Sequence, residues 1–176
     1  MKPRWALVLM GAWLMGSICM SAVATENFYT IDRLLGGSPN AAFAGMVQKL
    51  GQPASRDLLR YLSSELNRLY FQMWNVAQLG LGVLVLWLIA GSPKQDPAYA
   101  RLTRWSVIAM LATVVLMLAY LTPAIVSLGR ELDFVPRDPA PPGMARFWVL
   151  HAAYTSLEML KIAVGLVVAV RITRTV

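Results

Sequence analysis

Four long apolar runs constrain the fold of this chain more than any other feature: 5–24, 70–90, 105–128 and 147–170. A helix needs about 20 mostly apolar residues to cross roughly 30 Å of hydrocarbon, and each run is long enough. Hydrophobic residues make up 57% of the chain and charged residues only 14%, far from the balance of a soluble domain. The sequence therefore predicts one all-α domain over 1–176, an integral membrane four-helix bundle.

The first run has two interpretations. Lys2 and Arg4 precede it, and 22–24 (Ala-Val-Ala) resembles the cleavage site of a secretory signal. Small residues at a spacing typical of close helix packing favour a permanent span instead: Gly11, Gly16 and Ser17. Cleavage would leave three spans, and the sequence alone keeps both interpretations open.

Basic residues that flank the runs predict the orientation. With the N-terminus in the cytoplasm, the inside segments hold one acid, Asp96, and the following basic residues: Lys2, Arg4, Lys94, Arg101, Arg104, Arg171 and Arg174. The outside segments are nearly balanced in charge, and long loops count little in the positive-inside rule. We predict a multi-pass protein of the cell (inner) membrane with both termini in the cytoplasm. The net charge of +7 is then explained by the basic residues that set the orientation in the membrane. The expected partner is therefore the lipid bilayer and not nucleic acid.

The segment 38–66 between the first two runs carries two short helical patterns. Ser38 is expected to cap the first helix, with Pro39 at its first helical position. Gly51 is expected to end that helix, and Ser55 to cap the second, whose leucine stripe leads into the second run. These patterns predict an extramembrane helical hairpin that lies on the outer membrane surface or caps the bundle.

The fourth run carries polar and ionisable side chains on one helical face. The first is His151, and the others follow it at offsets of three, four, seven and ten residues: Tyr154, Thr155, Glu158 and Lys161. A charge at bilayer depth costs at least ~2.5–3.5 kcal/mol on insertion scales, so such residues usually face a protein interior or a water-filled cavity. This face is therefore a candidate site.

A second polar face leads into and follows the second run: Glu65, Arg68, Gln72, Asn75 and Gln78. The second and fourth runs both start on the outer side in the predicted topology. At about 1.5 Å per residue, Asn75 lies about as deep as Thr155, and Gln78 about as deep as Glu158. We therefore predict a polar cleft that opens to the outside, has Glu158 at its floor, and is closed towards the cytoplasm by apolar packing over 164–170.

Short motifs in three of the runs resemble those of a known family: Gly11-Ala12-Trp13 with Gly16, then Phe28, Leu121-Thr122-Pro123, and Phe147-Trp148-Val149-Leu150-His151. The chain resembles the transmembrane protein 205-like domain family, four-span membrane proteins of bacteria and eukaryotes without an established biochemical activity. The resemblance implies a four-span architecture and supplies no catalytic residues. The segment 26–68 is longer than the family pattern.

Each candidate residue also has a purely structural interpretation. Glu158 and Lys161 are three residues apart and can neutralise each other inside the bundle. His151 lies about one turn inside the interface, where histidine is more often a packing residue than a ligand. The amides of α-helical spans, here Gln72, Asn75 and Gln78, form interhelical hydrogen bonds worth ~0.6 kcal/mol each.

Signatures of catalysis and of metal or cofactor binding are missing from the sequence. One histidine and one cysteine cannot supply bis-histidine haem ligation, a zinc site or an internal disulfide. No phosphate-binding glycine loop, nucleophile elbow or His-Glu zinc motif is found. Glu158 and His151 are about 10 Å apart along a helix, too far for direct proton exchange. We therefore assign no catalytic residue, no metal and no cofactor, and the sequence favours a non-enzymatic role.

Three function classes stay open. The first is a small-ligand, ion or proton-coupled transport or binding protein with Glu158 as the responsive group, because carboxylates in spans often mark ion routes. The second is a structural or accessory subunit whose polar faces mediate helix–helix assembly with a membrane partner. The third is a membrane enzyme that acts on a lipid or a quinone. Transport through only four spans would require a homodimer.

Overall fold

A computed structural model describes residues 2–37, 39–90 and 97–174 of the chain, and these residues form an all-α four-helix bundle. The helices are α1 (Lys2–Gly37), α2 (Ala41–Leu50), α3 (Gln52–Ala90), α4 (Pro97–Leu116), α5 (Thr122–Glu131) and α6 (Met144–Thr173). A π-helical turn, Met117–Leu121, joins α4 to α5 without a break. Four helical stretches are long and apolar enough to cross a membrane: α1, α3, α4 through α5, and α6. The all-α class and the four-helix bundle are confirmed, and the helices are compatible with an integral membrane protein.

The helices run well beyond the apolar runs that mark them in the sequence. α1 continues from the end of its run to Gly37, and α3 begins at Gln52 rather than near Tyr70. Polar pairs hold the extra turns of these two helices together: Asn27 Nδ2 donates to Asn67 Oδ1 at 2.6 Å, and Arg56 Nη1 donates to Asp32 Oδ1 at 2.6 Å. Hydropathy marks the part of a helix that suits hydrocarbon, whereas these turns combine polar contacts with a few buried apolar side chains, Ile31 and Leu35 among them.

The predicted end of the first short helix at Gly51 is confirmed, whereas its predicted start is wrong. Asn40 caps α2, and its Oδ1 accepts a hydrogen bond from the Phe43 amide at 2.8 Å. Pro39 therefore precedes the helix. Gly51 ends α2 with a φ of 83°, a conformation that suits glycine, and its amide donates to the Val47 carbonyl at 2.8 Å.

Ser55 does not cap a separate helix, because it is buried inside α3. The second helix of the predicted hairpin is the first part of α3, which continues directly into the second apolar run. The placement of α2 relative to the membrane stays a prediction. Ser38, Lys94 and Asp96, which also carry predictions made above, lie outside the described residues.

Close helix contacts at one end of the bundle depend on small residues. A Cβ on Gly82 would lie 2.5 Å from Leu111 Cδ2 and 2.7 Å from Trp13 Cη2, and one on Gly165 would lie 2.6 Å from Leu14 Cδ2. Such distances are too short for a side chain, so α1, α3, α4 and α6 pack this closely only around glycine. The apolar core of the bundle surrounds these contacts and includes Met10, Val85, Val107, Met110 and Val168.

The small residues predicted to pack the first span divide into two groups. Gly16 lies against the Trp74 ring and Ser17 is buried, whereas Gly11 is exposed with open space around it. α1 also runs without a break through 22–24, and its Trp13 is fully buried. In this structure α1 is a member of the bundle, and the choice between a permanent span and a cleaved signal stays a prediction.

The third helical stretch passes Pro123 by changing its hydrogen-bond pattern just before the proline. The Thr122 amide donates to the Met117 carbonyl, five residues back, at the end of the π-helical turn. α5 then continues to Glu131. π-helical turns are rare and frequently occur at functional sites. Here the turn places Thr122 beside α3.

Candidate functional site

A hydrogen-bond network links all four spanning stretches at one level of the bundle. Its members are Trp13 from α1, Asn75 and Gln78 from α3, Thr122 from α5, and Tyr154, Glu158 and Lys161 from α6. Lys161 Nζ donates to Glu158 Oε2 at 2.7 Å and also to Gln78 Oε1. Trp13 Nε1 donates to the same Gln78 oxygen at 2.9 Å. Gln78 therefore joins α3 to both α1 and α6.

Asn75 extends the network towards α5 and the first half of α6. Its Oδ1 accepts from Gln78 Nε2 at 3.2 Å and from the Tyr154 hydroxyl at 3.2 Å. Its Nδ2 donates to Thr122 Oγ1 at 3.0 Å. The polar faces of α3 and α6 thus contact each other through Asn75 with Tyr154 and through Gln78 with Lys161.

Most of the network is buried. Asn75 and Gln78 are 0% exposed, Lys161 is 3% exposed and Glu158 is 7% exposed. Because the charges of Glu158 and Lys161 cancel, the pair avoids the full cost of a lone buried charge. Glu158 Oε2 is bonded to Lys161, but Glu158 Oε1 has no hydrogen-bond partner among the described residues.

A cavity of about 800 Å³ begins at Glu158 and extends away from the network between α1, α3, α5 and α6. The α6 residues that line it recur at helical spacing: Met144, Phe147, Trp148, His151, Tyr154, Thr155, Glu158 and Met159. Fifteen residues of helix separate the first from the last, so the cavity is about 22 Å long at 1.5 Å per residue. Its volume lies within the range of pockets that hold small ligands.

The cavity has a closed end and a charged mouth. Ser21 of α1, Phe71 of α3, Thr122 of α5 and Glu158 of α6 mark the closed end, which borders the network. At the other end lie charged residues of the helix extensions and of the segment before α6: Asp32, Arg56, Arg60, Arg68, Asp133 and Arg137. A ligand that fills the cavity would therefore meet arginine at one end and the Glu158 carboxyl group at the other.

Arg68 is held in place at the mouth by two carboxylates. Its Nη1 donates to Glu65 Oε1 at 2.5 Å, and its Nη2 donates to Asp133 Oδ2 at 2.9 Å. Glu65 also accepts from Arg130 at 3.4 Å. Hydrogen bonds from Arg130 and Arg68 lower the pKa of Glu65, which precedes the predicted second span. Glu65 itself does not line the cavity, so its role is to orient Arg68.

The remaining candidate residues occupy different places. His151 lines the cavity and stacks on Phe147 with 5.8 Å between ring centroids. Thr155 is exposed, lines the cavity, and donates its hydroxyl proton to the His151 carbonyl at 3.0 Å. Gln72 is exposed and belongs to neither the cavity nor the network. The structure therefore separates Gln72 from the other polar residues of its predicted face.

Reasoning from the sequence did not identify Trp13 or the arginines Arg56, Arg60 and Arg137. Trp13 was assigned only to a motif in an apolar run, and the arginines were read as charges of an outer loop. A usable signal was the spacing of the α3 residues that line the cavity: Arg56, Arg60, Ser64, Asn67, Arg68 and Phe71. They share one helical face over four turns, continuous with the face that leads to Asn75.

Accessibility labelling tests the cavity directly. On a Cys19→Ser background, we expect a charged, membrane-impermeant maleimide to modify Thr155→Cys but not Asn75→Cys, because the first position lines the cavity and the second is 0% exposed. Ser156→Cys is the matched control, since Ser156 is exposed at the same depth but does not line the cavity. Equal labelling at 155 and 156, or at neither, would contradict a water-accessible cavity.

Comparisons of the chain with protein-family models, curated proteins and solved structures found no match. The resemblance to the transmembrane protein 205-like domain family therefore stays a prediction from short motifs. Among the described residues, no three His, Cys, Asp or Glu side chains are grouped so that they could hold a metal ion.

Proposed function

We propose that this chain is an integral membrane protein that binds a small ligand in the cavity, with Glu158 as an ion- or proton-coupled group at its closed end. The observation that carries this proposal is Glu158, which is only 7% exposed, lines a cavity of about 800 Å³, and has a buried oxygen, Oε1, without a partner among the described residues. Ionisable residues inside spans are costly and usually mark ion, proton or substrate pathways.

The ion pair makes Glu158 a suitable coupling group. Lys161 holds Oε2 at 2.7 Å and so fixes the side chain, while Oε1 is left for a proton, a cation or a ligand donor. Binding at Oε1 does not require the Lys161 contact to break. Binding at this oxygen also satisfies a polar atom whose burial is otherwise unfavourable.

The proposal includes a location and an orientation. We place the protein in the cell (inner) membrane with both termini in the cytoplasm, so that the cavity opens to the outside. The strongly basic segments that flank the spans on the proposed inner side support this orientation. The arginine-rich mouth would then lie at the outer surface, and the glycine-dependent contacts would close the bundle on the inner side.

The test of this function is the Glu158→Gln variant. Glutamine keeps the shape of the side chain and an oxygen that accepts from Lys161, but it cannot bind a proton or attract a cation. An environment-sensitive fluorophore on Thr155→Cys would report changes in the cavity of the purified protein in nanodiscs. We expect its emission to respond to pH and to Na⁺ in the parent, and Glu158→Gln to abolish most of that response. Because the variant also leaves the buried Lys161 ammonium without its counter-charge, the response is compared only between preparations with the same folded fraction.

Two controls separate Glu158 from other titrating groups. Glu131→Gln removes a carboxylate at the end of α5 that does not line the cavity, and it should leave the response intact. His151→Gln removes the imidazole that does line the cavity. The proposal is wrong if His151→Gln, and not Glu158→Gln, abolishes the response.

A structural role is the second candidate, and one observation favours it. Asn75, Gln78 and Lys161 find all the partners described above within the same chain and join the four spanning stretches to each other. A network of this kind stabilises a bundle without any ligand. The stability of Lys161→Leu and of Glu158→Leu/Lys161→Leu tests this role.

A further inference from the structure

We propose that the mouth of the cavity binds the anionic head group of a single-chain lipid, a phosphate in the simplest case, with the apolar chain lying along the aromatic wall. The proposal rests on the proposed function, in that it assumes a ligand in the cavity, and it names the class of that ligand. It is carried by the charges at the mouth, by the composition of the wall, and by the side opening between α1 and α6.

The charges at the mouth leave an excess of guanidinium groups. Four arginines line this end of the cavity against two acids, Asp32 and Asp133. Each acid is already bonded to an arginine, Asp32 to Arg56 at 2.6 Å and Asp133 to Arg68 at 2.9 Å. The mouth therefore carries two positive charges that the lining acids do not neutralise.

Those two charges belong to Arg60 and Arg137. Arg60 Nη1 and Asp57 Oδ1, 3.8 Å apart, form a long, solvent-exposed ion pair without a hydrogen bond, and Asp57 does not line the cavity. Arg137 has no ion pair or hydrogen bond among residues 2–37, 39–90 and 97–174. Guanidinium groups present several N–H donors in a planar fork that matches phosphate and carboxylate oxygens. The mouth is therefore complementary to an anion.

Below the arginines, the wall of the cavity is aromatic and apolar. Phe28 of α1, Ile125 of α5, and Phe147 and Trp148 of α6 line this part. A free inorganic anion would gain nothing from these side chains, whereas an apolar chain would bury surface against them. With a length of about 22 Å, the cavity suits an extended chain better than a compact head group.

The cavity is also open at its side. α1 and α6 touch where Gly165 meets Leu14, and the cavity lies between the same helices beyond that contact. Several of its lining side chains are at the same time exposed on the outside of the bundle, including Phe28, Trp148 and Met159. In a bilayer, such an opening faces lipid, so a lipid could enter sideways with its head group at the level of the arginines.

The experiment measures binding of three probes to the full chain, purified in a neutral detergent, by isothermal titration calorimetry: lysophosphatidic acid, lysophosphatidylcholine and inorganic phosphate. We expect lysophosphatidic acid to bind most tightly. The Arg60→Gln/Arg137→Gln variant should weaken that binding by about 10- to 100-fold, since hydrogen bonds to charged groups are strong. Arg33→Gln/Arg101→Gln is the matched control, because it removes the same charge from exposed positions that do not line the cavity.

The outcomes separate this proposal from the proposed function. A maleimide adduct on Thr155→Cys fills the cavity and should block binding. If the adduct blocks both lysolipids but the arginine variant weakens neither, the cavity binds ligands and the head-group assignment is wrong. If inorganic phosphate binds as tightly as lysophosphatidic acid, the ligand is a soluble anion and not a lipid. If no probe binds, or if the adduct on Thr155→Cys does not change the affinity, the proposal is wrong. The fluorescence response of Glu158→Gln then still tests the proposed function independently.

Discussion

Lys161→Leu is expected to destabilise the bundle by about 3–5 kcal/mol, because it leaves the buried Glu158 carboxylate without its counter-charge. Glu158 Oε1 already lacks a partner among the described residues, so the loss of Lys161 would strip the only hydrogen bond that the side chain makes there. The measurement is the unfolding free energy of the purified protein in mixed micelles, together with its accumulation in the membrane.

The double variant Glu158→Leu/Lys161→Leu should recover most of that loss. Replacing both members of a buried ion pair by apolar residues is often neutral or stabilising. Gln78 Oε1 would lose the Lys161 donor but keep Trp13 Nε1 at 2.9 Å, so the amide would not be left unsatisfied. A double variant as unstable as Lys161→Leu would contradict this account. Full recovery of stability together with loss of the cavity response would show that the pair is retained for function.

Gly82→Ala is the variant with the next largest expected effect, a loss of about 1–3 kcal/mol by overpacking. The new Cβ would lie 2.5 Å from Leu111 Cδ2 and 2.7 Å from Trp13 Cη2. Leu111 can shift, but Trp13 is fully buried and bonded to Gln78, so its ring cannot move without disturbing the network. The same unfolding measurement would show the loss.

Gly80→Ala is the matched control for this variant. Gly80 lies one half-turn away on the same helix, is exposed, and has no atom within 4 Å of the position that a Cβ would take. Alanine there should be neutral or stabilising by up to ~1 kcal/mol through helix propensity. Equal stabilities of the two alanine variants would mean that α1, α3 and α4 do not pack closely around Gly82.

The fold was predictable as far as hydrophobicity determines it. The cost of placing polar groups in hydrocarbon is large enough that four long apolar runs identify four spans almost by themselves. The helix before the second run was predictable, but the extension of α1 to Gly37 was not, because its contacts with α3 join distant positions, as in the pairs Asn27 with Asn67 and Arg56 with Asp32. The spacing of residues within one segment does not indicate their partners in another segment.

The site was predictable only where helical spacing sufficed. Gln78, Glu158 and Lys161 were selected because each belongs to a polar face, and the structure brings them into contact. Gln72 was placed on the same face as Gln78. Six residues separate the two, and at about 100° per residue their side chains point roughly 120° apart around the helix axis. One neighbouring helix cannot contact both. Trp13 was missed because a tryptophan in an apolar run gives no sign that its indole nitrogen will need a partner.

The shared acceptor Gln78 Oε1 has a mechanical consequence. One oxygen binds both the indole of α1 and the ammonium of α6, at the level where the wide half of the bundle meets the half that is closed around Gly82 and Gly165. Because both bonds depend on this one oxygen, a single change at Gln78 would release α1 and α6 from α3 at the same time.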